Sequence, residues 1–346
     1  MTTHTDPGAR SSPPVSLVTG GAGFIGAHVA QECLNLGHRV IVVDDLSGGS
    51  VENVPDEAQF VEGSVTDVPL MEKLFQDHGV TYVYHLAAYA AEGLSHFIRR
   101  FNYTNNVIGT VNLINLSVLH EVECFVFTSS IAVYGEGQLP MTEAMTPRPE
   151  DPYGIGKYAA ELDLEAARKM FGLNHIVFRP HNVYGTMQNL GDPYRNVIGI
   201  FMRQVLQGEP LTVFGDGTQT RAFSHIRDVA PIIARSVTEE RAYNQTFNIG
   251  ADKPYSINQL IEAIAEVFDV EPEVTYLPAR NEVQHAYSSH DKVREFFTVG
   301  DPTSLEDGIR DMAEWARSRG VISSKPFTAI EVDRNMPPSW REILRN

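Results

Sequence analysis

Tyr153 and Lys157, four residues apart in "PYGIGKYAAE", are the pair in this chain whose types and spacing could move a proton. At the start of a helix that spacing puts both side chains on one face. An ammonium beside a phenol favours the phenolate and draws a pKa near 10 toward neutrality, which would make Tyr153 a general base. On its own the pair is common on helix surfaces. Its weight comes from "FTSSIAVYG", which supplies Ser129 and Ser130 at the C-terminal end of an apolar run, the edge where open parallel sheets place their ligands. A hydroxyl there could share the charge that develops on a reacting oxygen.

A second constellation could hold phosphate. In "VTGGAGFIG" (Val18 to Gly26), Gly20, Gly23 and Gly26 lie between a predicted strand and a predicted helix. The first glycine allows a tight turn, the second lets backbone N–H groups approach a pyrophosphate, and the third lets helix pack close on strand. The spacing is G-x-x-G-x-x-G. Asp44 follows Gly26 at the end of the next predicted strand, where a carboxylate accepts hydrogen bonds from an adenosine ribose. Because a carboxylate repels a 2′-phosphate, NAD is expected in preference to NADP. Asp45 reads as a polar loop residue.

The elements that must position these residues alternate along the chain. "VSLVT" (15–19), "RVIVVDD" (39–45), "QFVEG", "TYVYHLAA", "CFVFTSS" and "HIVFRP" read as strands. Between them "FIGAHVAQECLNLG", "VPLMEKLFQDHG", "NNVIGTVNLINLSVLHE" and residues 152–171 read as helices. This alternation predicts an α/β fold, a doubly wound parallel sheet covered on both faces. Beyond Asn182 the pattern loosens into Gly- and Pro-punctuated loops separated by single helices such as "SINQLIEAIAEVF". The expected division is a tail over 1–14, a dinucleotide-binding domain over 15–181 plus about 224–249, and a smaller mixed α/β substrate-binding lobe over about 182–223 plus 250–346.

Composition bounds the partners. The chain has 346 residues, 42% of them hydrophobic and 21% charged, as in ordinary globular proteins. A net charge of -17 argues against nucleic acid or an acidic membrane surface, since phosphate backbones need a basic face. The two cysteines, Cys33 and Cys124, sit in apolar surroundings and offer neither a disulfide framework nor a thiolate metal site. The twelve histidines show no metal-ligand spacing. No signal-peptide core and no run of eighteen apolar residues is present, so a cytoplasmic protein is expected.

These motifs together resemble the extended short-chain dehydrogenase/reductase family, and within it the nucleotide-sugar epimerases. The resemblance runs from about Val15 to Gly320 and rests on "TGGAGFIG", "VVDDLSGG", "HLAA", "NNVIGT", "TSSIAVYG", "PYGIGK", "RPHNVYG", "TVFGDGTQTR" and "ARNEVQHAY". It implies that Ser130, Tyr153 and Lys157 form the catalytic triad, with Lys157 also holding the nicotinamide ribose. It implies further that Asn106 supports the triad helix and that Leu86, Ala87 and Ala88 line the nicotinamide side. Phe24, Ile25, Ser64 and Val65 would complete the dinucleotide contacts. For a nucleotide-diphosphate sugar, Asn182, Asn196 and Val197 would touch the diphosphate region. Arg221 and Arg280 would bind phosphate oxygens with their planar forks, Phe214 would line the nucleobase pocket, and Glu282 would reach the substrate ribose. Tyr89 and His181 would face the sugar. In "AAYAAEGLSHFIRRFN", Glu92, His96, Arg99 and Arg100 are further candidates, an arginine first if the sugar carries a carboxylate.

Departures from the family pattern narrow the chemistry. Ser64 replaces the aspartate that usually bonds the adenine amine. Ile131 and Ala132 stand where dehydratases carry Asp-Glu, and Ala132 where decarboxylases need a glutamate. Met187 stands near the arginine that uronate-specific members commonly use. His181 before Asn182 matches the "HN" pair of 3,5-epimerases, whose cysteine acid is missing here. The resemblance therefore implies an NAD-dependent 4-epimerase of the UDP-glucose/UDP-galactose type, acting through a transient 4-keto sugar. Another nucleotide-sugar epimerase, a 4-keto reductase and a non-catalytic NAD-binding sensor stay open. The family also implies a homodimer packed through residues 105–120 and 153–171, although Val107, Leu113 and Leu116 would serve a monomer core equally well.

Overall fold

The computed structural model describes residues 12–137, 139–192, 196–279, 283–320, 327 and 329–343. Along the first half run β1 (Val15–Thr19), α1 (Phe24–Asn35), β2 (Arg39–Asp44), β3 (Gln59–Glu62), α2 (Val68–His78), β4 (Tyr82–His85), α3 (Glu92–Ser95), α4 (Arg99–Tyr103), α5 (Gly109–Leu119), β5 (Cys124–Thr128), α6 (Pro152–Phe171) and β6 (His175–Pro180). The second half carries β7 (Val183–Tyr184), α7 (Val197–Gln207), β8 (Leu211–Phe214), β9 (Thr220–Ala222), β10 (Ser224–His225), α8 (Ile226–Arg235), β11 (Gln245–Ile249) and β12 (Pro254–Ser256). It closes with α9 (Ile257–Phe268), β13 (Val274–Leu277), β14 (His285–Ala286), α10 (Asp291–Phe296), α11 (Leu305–Arg319) and α12 (Pro338–Ile343).

Seven strands form one parallel sheet in the order β11-β6-β5-β4-β1-β2-β3. The chain leaves β1 toward β2 and β3, then crosses back to β4 on the other side, so the direction of winding reverses between β1 and β4. Ligands of such sheets sit beyond the strand ends at that reversal. The strands read as continuous apolar runs because helices cover both faces. Along β1 the side chains alternate, with Val18 packing among Val42, Tyr84, Val126 and Ile233 on the side of α1 and α8, and Leu17 among Ile41, Val83, Leu113 and Leu164 on the side of α2, α5 and α6. A third core gathers Tyr184, Phe201, Leu260 and Ile309 around α7, α9 and α11.

Local chemistry sets the helix ends that matter most. Asp67 caps α2 by accepting from Leu70 N, and Gly79 ends that helix in the left-handed region. Asp151 caps α6 the same way from Gly154 N, Pro152 fills its first turn, and Gly172 closes it at φ 78°. Two differences from the sequence reading stand out. The stretch from Thr104 to Ile108 is a π turn between α4 and α5, where a plain helix was expected; such a turn has no residue signature. The expected loops beyond Asn182 contain three small sheets, β7 with β10, β8 with β13, and β12-β9-β14, whose strands of two to four residues are too short for their periodicity to be seen. Among the described residues no helix is long and apolar enough to cross a membrane.

Candidate active site

The glycine turn is built for close approach. Gly20 has φ 72°, and a Cβ there would lie 2.6 Å from Ala87 N at the end of β4; a Cβ on Gly26 would run into the Gly20 carbonyl. Gly23 caps α1 in an extended conformation without a side-chain acceptor, and the first turn of α1 carries no acidic residue. That leaves a helix N-terminus suited to an anion. Asp44 fixes the loop from below: its Oδ2 accepts from Ala22 N at 3.1 Å and its Oδ1 from Leu46 N at 2.8 Å. Burial pushes its carboxyl upward, against those hydrogen bonds. Phe24 and Ile25 open α1 half-buried. Leu86, Ala87 and Ala88 follow β4 directly, Leu86 N donating to Thr19 O at 3.1 Å and Ala87 N to Thr19 Oγ1 at 3.4 Å. Val65 is buried, and its carbonyl accepts from Asn112 Nδ2 at 3.1 Å. Ser64 turns its hydroxyl onto Thr66, 2.8 Å from Oγ1. The cradle, the ring of small residues and Asp44 fit an adenine dinucleotide.

Across the β1/β4 reversal stands the proposed proton-moving pair. Tyr153 and Lys157 both sit on the buried face of α6. Lys157 Nζ donates to Thr128 O at 2.8 Å and lies 4.8 Å from the centre of the Phe127 ring and 5.9 Å from that of Tyr153. Burial pushes its ammonium down to about 7, with the Glu161 carboxylate pulling the other way. Ser130 follows β5, and its Oγ accepts from Ala132 N at 3.1 Å, capping the short turn Ile131–Val133. β5 and α6 thus bring together all three residues of the expected triad.

A buried polar network lies behind the triad, and the sequence reading missed it. Ser129 Oγ donates to Glu161 Oε1 at 2.5 Å, and Arg179 grips the same carboxylate through Nε at 3.0 Å and Nη2 at 2.5 Å. Arg179 Nη1 donates to the Tyr134 hydroxyl at 2.8 Å, which donates in turn to Asn248 Oδ1 at 2.7 Å. The ends of β5, β6 and β11 are joined in this way to the middle of α6. Glu161 one turn after Lys157 was the available signal.

Asn106 supports α6 through an intermediary. Its Oδ1 accepts from Tyr89 N at 2.8 Å, and its Nδ2 donates to Tyr89 O at 3.1 Å and to Asn102 Oδ1 at 2.8 Å. Asn102 Nδ2 then donates to Pro152 O at 2.9 Å, beside Tyr153. The Tyr89 ring packs against Phe101 and Phe327, with centroids 5.3 and 5.1 Å apart. Arg99 and Arg100 are exposed at the start of α4.

The expected substrate residues fall in the second half. Asn182 has φ 38° and donates from Nδ2 to Ala222 O at 3.2 Å. Asn196 caps α7, accepting from Ile198 N at 3.1 Å and donating to Val183 O at 2.6 Å, with Val197 beginning the helix. Phe214 ends β8 half-buried. Arg221 in β9 donates to the carbonyls of Thr220, Gln284 and Val283 at 2.9, 3.1 and 2.7 Å. Arg280 and Glu282 lie outside the described residues. His181 is buried, with Nδ1 3.1 Å from Ala222 O and Nε2 3.2 Å from His290 Nε2. The two rings stack, and His290 Nδ1 meets Asp252 at 2.6 Å. Burial pushes the His181 imidazole down to about 3.

Comparison with known proteins agrees with this geometry. The model of the NAD dependent epimerase/dehydratase family matches residues 16–250. The UDP-glucose 4-epimerase of Mycolicibacterium smegmatis is 32% identical over 314 residues, 88% of this chain and 99% of that protein. The crystal structure of Thermotoga maritima UDP-glucose 4-epimerase with UDP-glucose has a TM-score of 0.84 and 35% identity, covering 88% of this chain and 99% of that one. Bacillus cereus UDP-glucuronic acid 4-epimerase, solved with UDP-glucuronic acid and NAD, has a TM-score of 0.81 and 27% identity, covering 88% of this chain and all of that one. With its glycine turn, its Asp44 and its Ser130–Tyr153–Lys157 arrangement, the chain belongs to the NAD-dependent epimerase/dehydratase family and is an enzyme of that nucleotide-sugar group with NAD as its cofactor.

Proposed function

We propose that the protein interconverts a UDP-hexose and its C4 epimer, of the UDP-glucose/UDP-galactose type. The observation that carries the reading is that α6 holds Tyr153 and Lys157 on its buried face with Lys157 Nζ on Thr128 O, two residues before Ser130 at the end of β5, while Ile131 and Ala132 fill the short turn where a dehydratase or decarboxylase needs its carboxylates. The glycine turn and Asp44 would hold NAD, which would supply a hydride acceptor for the C4 hydrogen.

The chain's own residues handle the proton. Tyr153 as phenolate takes the proton of the sugar 4-hydroxyl, and Ser130 donates a hydrogen bond to the same oxygen as its carbonyl character develops. Lys157 is disfavoured as an ammonium by burial and favoured by an adjacent phenolate, so the two charges arise together. Thr128 O holds the amine in place for either form. Returning the hydrogen to the opposite face requires the 4-keto sugar to turn, which calls for few strong contacts to the hexose. Binding energy then comes chiefly from the nucleotide diphosphate, for which Asn182, Asn196, Phe214 and Arg221, with Arg280 and Glu282, are the proposed contacts. Tyr89 and His181 are the proposed residues on the sugar side. Met187, at φ 67°, offers no cation for a uronate, which favours a neutral hexose.

A homodimer is part of the proposal. Ile155, Leu162, Met170 and Phe171 on α6, with Ile108 just before α5 and Leu119 at its end, are exposed. Of these, Ile155, Leu162 and Met170 recur at helical spacing down the outer face of α6. Leu113 and Leu116 are spent in the monomer core. The test is incubation with UDP-glucose, UDP-galactose and their uronates in turn. Interconversion of the neutral pair, lost about 10²- to 10⁴-fold in Tyr153→Phe, is expected; turnover of none of them would overturn the reading.

A further inference from the structure

A fourth hydrophobic cluster joins the far end of the chain to the segment before α5. Ala91, Leu94, Ile98, Met336 and Trp340 are its buried members, with Tyr89, Phe97, Phe101, Phe327 and Ile330 packed around them. The Phe327 ring is 4.7 Å from Phe101 and 5.1 Å from Tyr89 between centroids. Trp340 meets Phe97 edge-on at 6.1 Å, and a Cβ on Gly93 would lie 3.1 Å from the Trp340 ring.

Polar contacts set the register of this packing. The Glu331 carboxylate accepts from Arg100 N and from Phe101 N, each at 2.8 Å, the second and third amides of α4. Glu331 N and Val332 N in turn donate to Phe97 O at 2.8 and 3.2 Å. A single glutamate therefore answers two amides that a helix start leaves open.

The clamped segment leads straight to the reacting groups. Ser95 Oγ donates chiefly to Glu92 O at 2.6 Å and lies 3.3 Å from Asp151 Oδ1, and Asp151 caps α6 through Gly154 N at 3.0 Å. Asn102 Nδ2 reaches Pro152 O at 2.9 Å. Tyr89, at the head of the segment, is held by both polar atoms of the Asn106 side chain. The Asn102–Pro152 hydrogen bond, with the longer Ser95–Asp151 contact beside it, thus ties residues 89–103 to the turn that presents Tyr153. The solved relatives are covered nearly end to end by 88% of this chain, so part of this chain has no counterpart in them.

We propose that Glu331, seconded by Phe327 and Trp340, is a positioning residue for the active site: it fixes residues 89–103, and through Asn102 and Ser95 the start of α6, so that Tyr153 and Tyr89 face the sugar in one geometry. The proposal rests on the epimerase reading for its kinetic test but not for its structural one. In Glu331→Ala holoenzyme, kcat for the sugar interconversion should fall about tenfold to a hundredfold, the range for a small misplacement far from the chemistry. Inhibition by UDP alone should stay within about twofold, because UDP is bound elsewhere. Glu331→Gln keeps one of the two acceptor oxygens and turns an NH2 toward the other amide, so its rate should fall between those of Glu331→Ala and the wild type, and Trp340→Ala should lose part of the rate with the glutamate intact.

Hydrogen exchange separates the two readings. Amides 89–103 and 153–157 should exchange faster in Glu331→Ala, while β1 and β2 exchange as in the wild type. Unchanged exchange at 153–157, a wild-type kcat, or a parallel loss of UDP inhibition and of exchange protection throughout the sheet overturns the proposal. A wild-type protein inactive on every UDP-sugar overturns the epimerase reading alone, and the exchange result still decides this one.

Discussion

Replacing Lys157 with methionine keeps the side-chain length and deletes the charge, which exposes what burial does to that amine. Folding moves the group from the ordinary lysine value near 10.4 to about 7. Between those limits the unfolded chain holds a proton that the folded chain has released. Stability therefore rises with pH across the window, by at most about 1.36 kcal/mol per pH unit and about 5 kcal/mol in all. Competing titrations, including that of Lys292, whose ammonium burial also lowers, are common to both proteins and cancel in the difference. Burial lowers the imidazoles of His28, His85, His175, His181 and His225, so their contribution grows only up to the ordinary histidine range near 6.5 and is complete above it. Cys33 is pushed up to about 12, so its contribution is lost as pH rises above about 8.5, but equally in both proteins. Urea unfolding of wild type and Lys157→Met at matched NAD, from pH 7.5 to 9.5, is the assay. The stability difference, wild type minus variant, should climb by about 1 kcal/mol per pH unit; parallel curves would refute the argument that burial neutralises this lysine.

Three further outcomes follow from the same geometry. Gly26→Ala should cost at least about tenfold in NAD affinity, measured as dinucleotide retained on purification, because the new methyl displaces the Gly20 carbonyl and with it the phosphate turn. Leu162→Glu together with Met170→Glu should shift the sedimenting species from dimer to monomer with little change in the thermal midpoint, since both side chains are exposed on one chain. Ser129→Ala should destabilise the fold by about 1–3 kcal/mol, since the hydroxyl is a buried donor to Glu161; an unchanged urea midpoint would show that the carboxylate is satisfied by Arg179 alone.

The sheet and the reacting trio were legible because their physics is local. A strand buried on both faces needs an apolar run, a phosphate turn needs glycine at fixed offsets, and Tyr153 and Lys157 share a face by helical period alone. What stayed hidden depends on contacts distant in sequence. Nothing in "TNNVI" marks a π turn, and Asn102 gains its role only because α4 lies beside α6. Glu331 reads as a surface charge until it meets the open amides of α4, 230 residues away. The paired strands β9, β12 and β14 have three, three and two residues, lengths at which alternation carries no information.

The Glu161–Arg179 pair has an evolutionary corollary. Both side chains are nearly inaccessible, so losing either one strands its partner's charge in a low-dielectric interior at about 3–5 kcal/mol, whereas exchanging both for well-packed apolar residues is often neutral. Drift through single substitutions is thereby blocked at both sites. Chains descended from a common ancestor with this one should keep the two together or have replaced them together, and an alignment in which the glutamate varies while the arginine stays would mean that some other anion has taken its place.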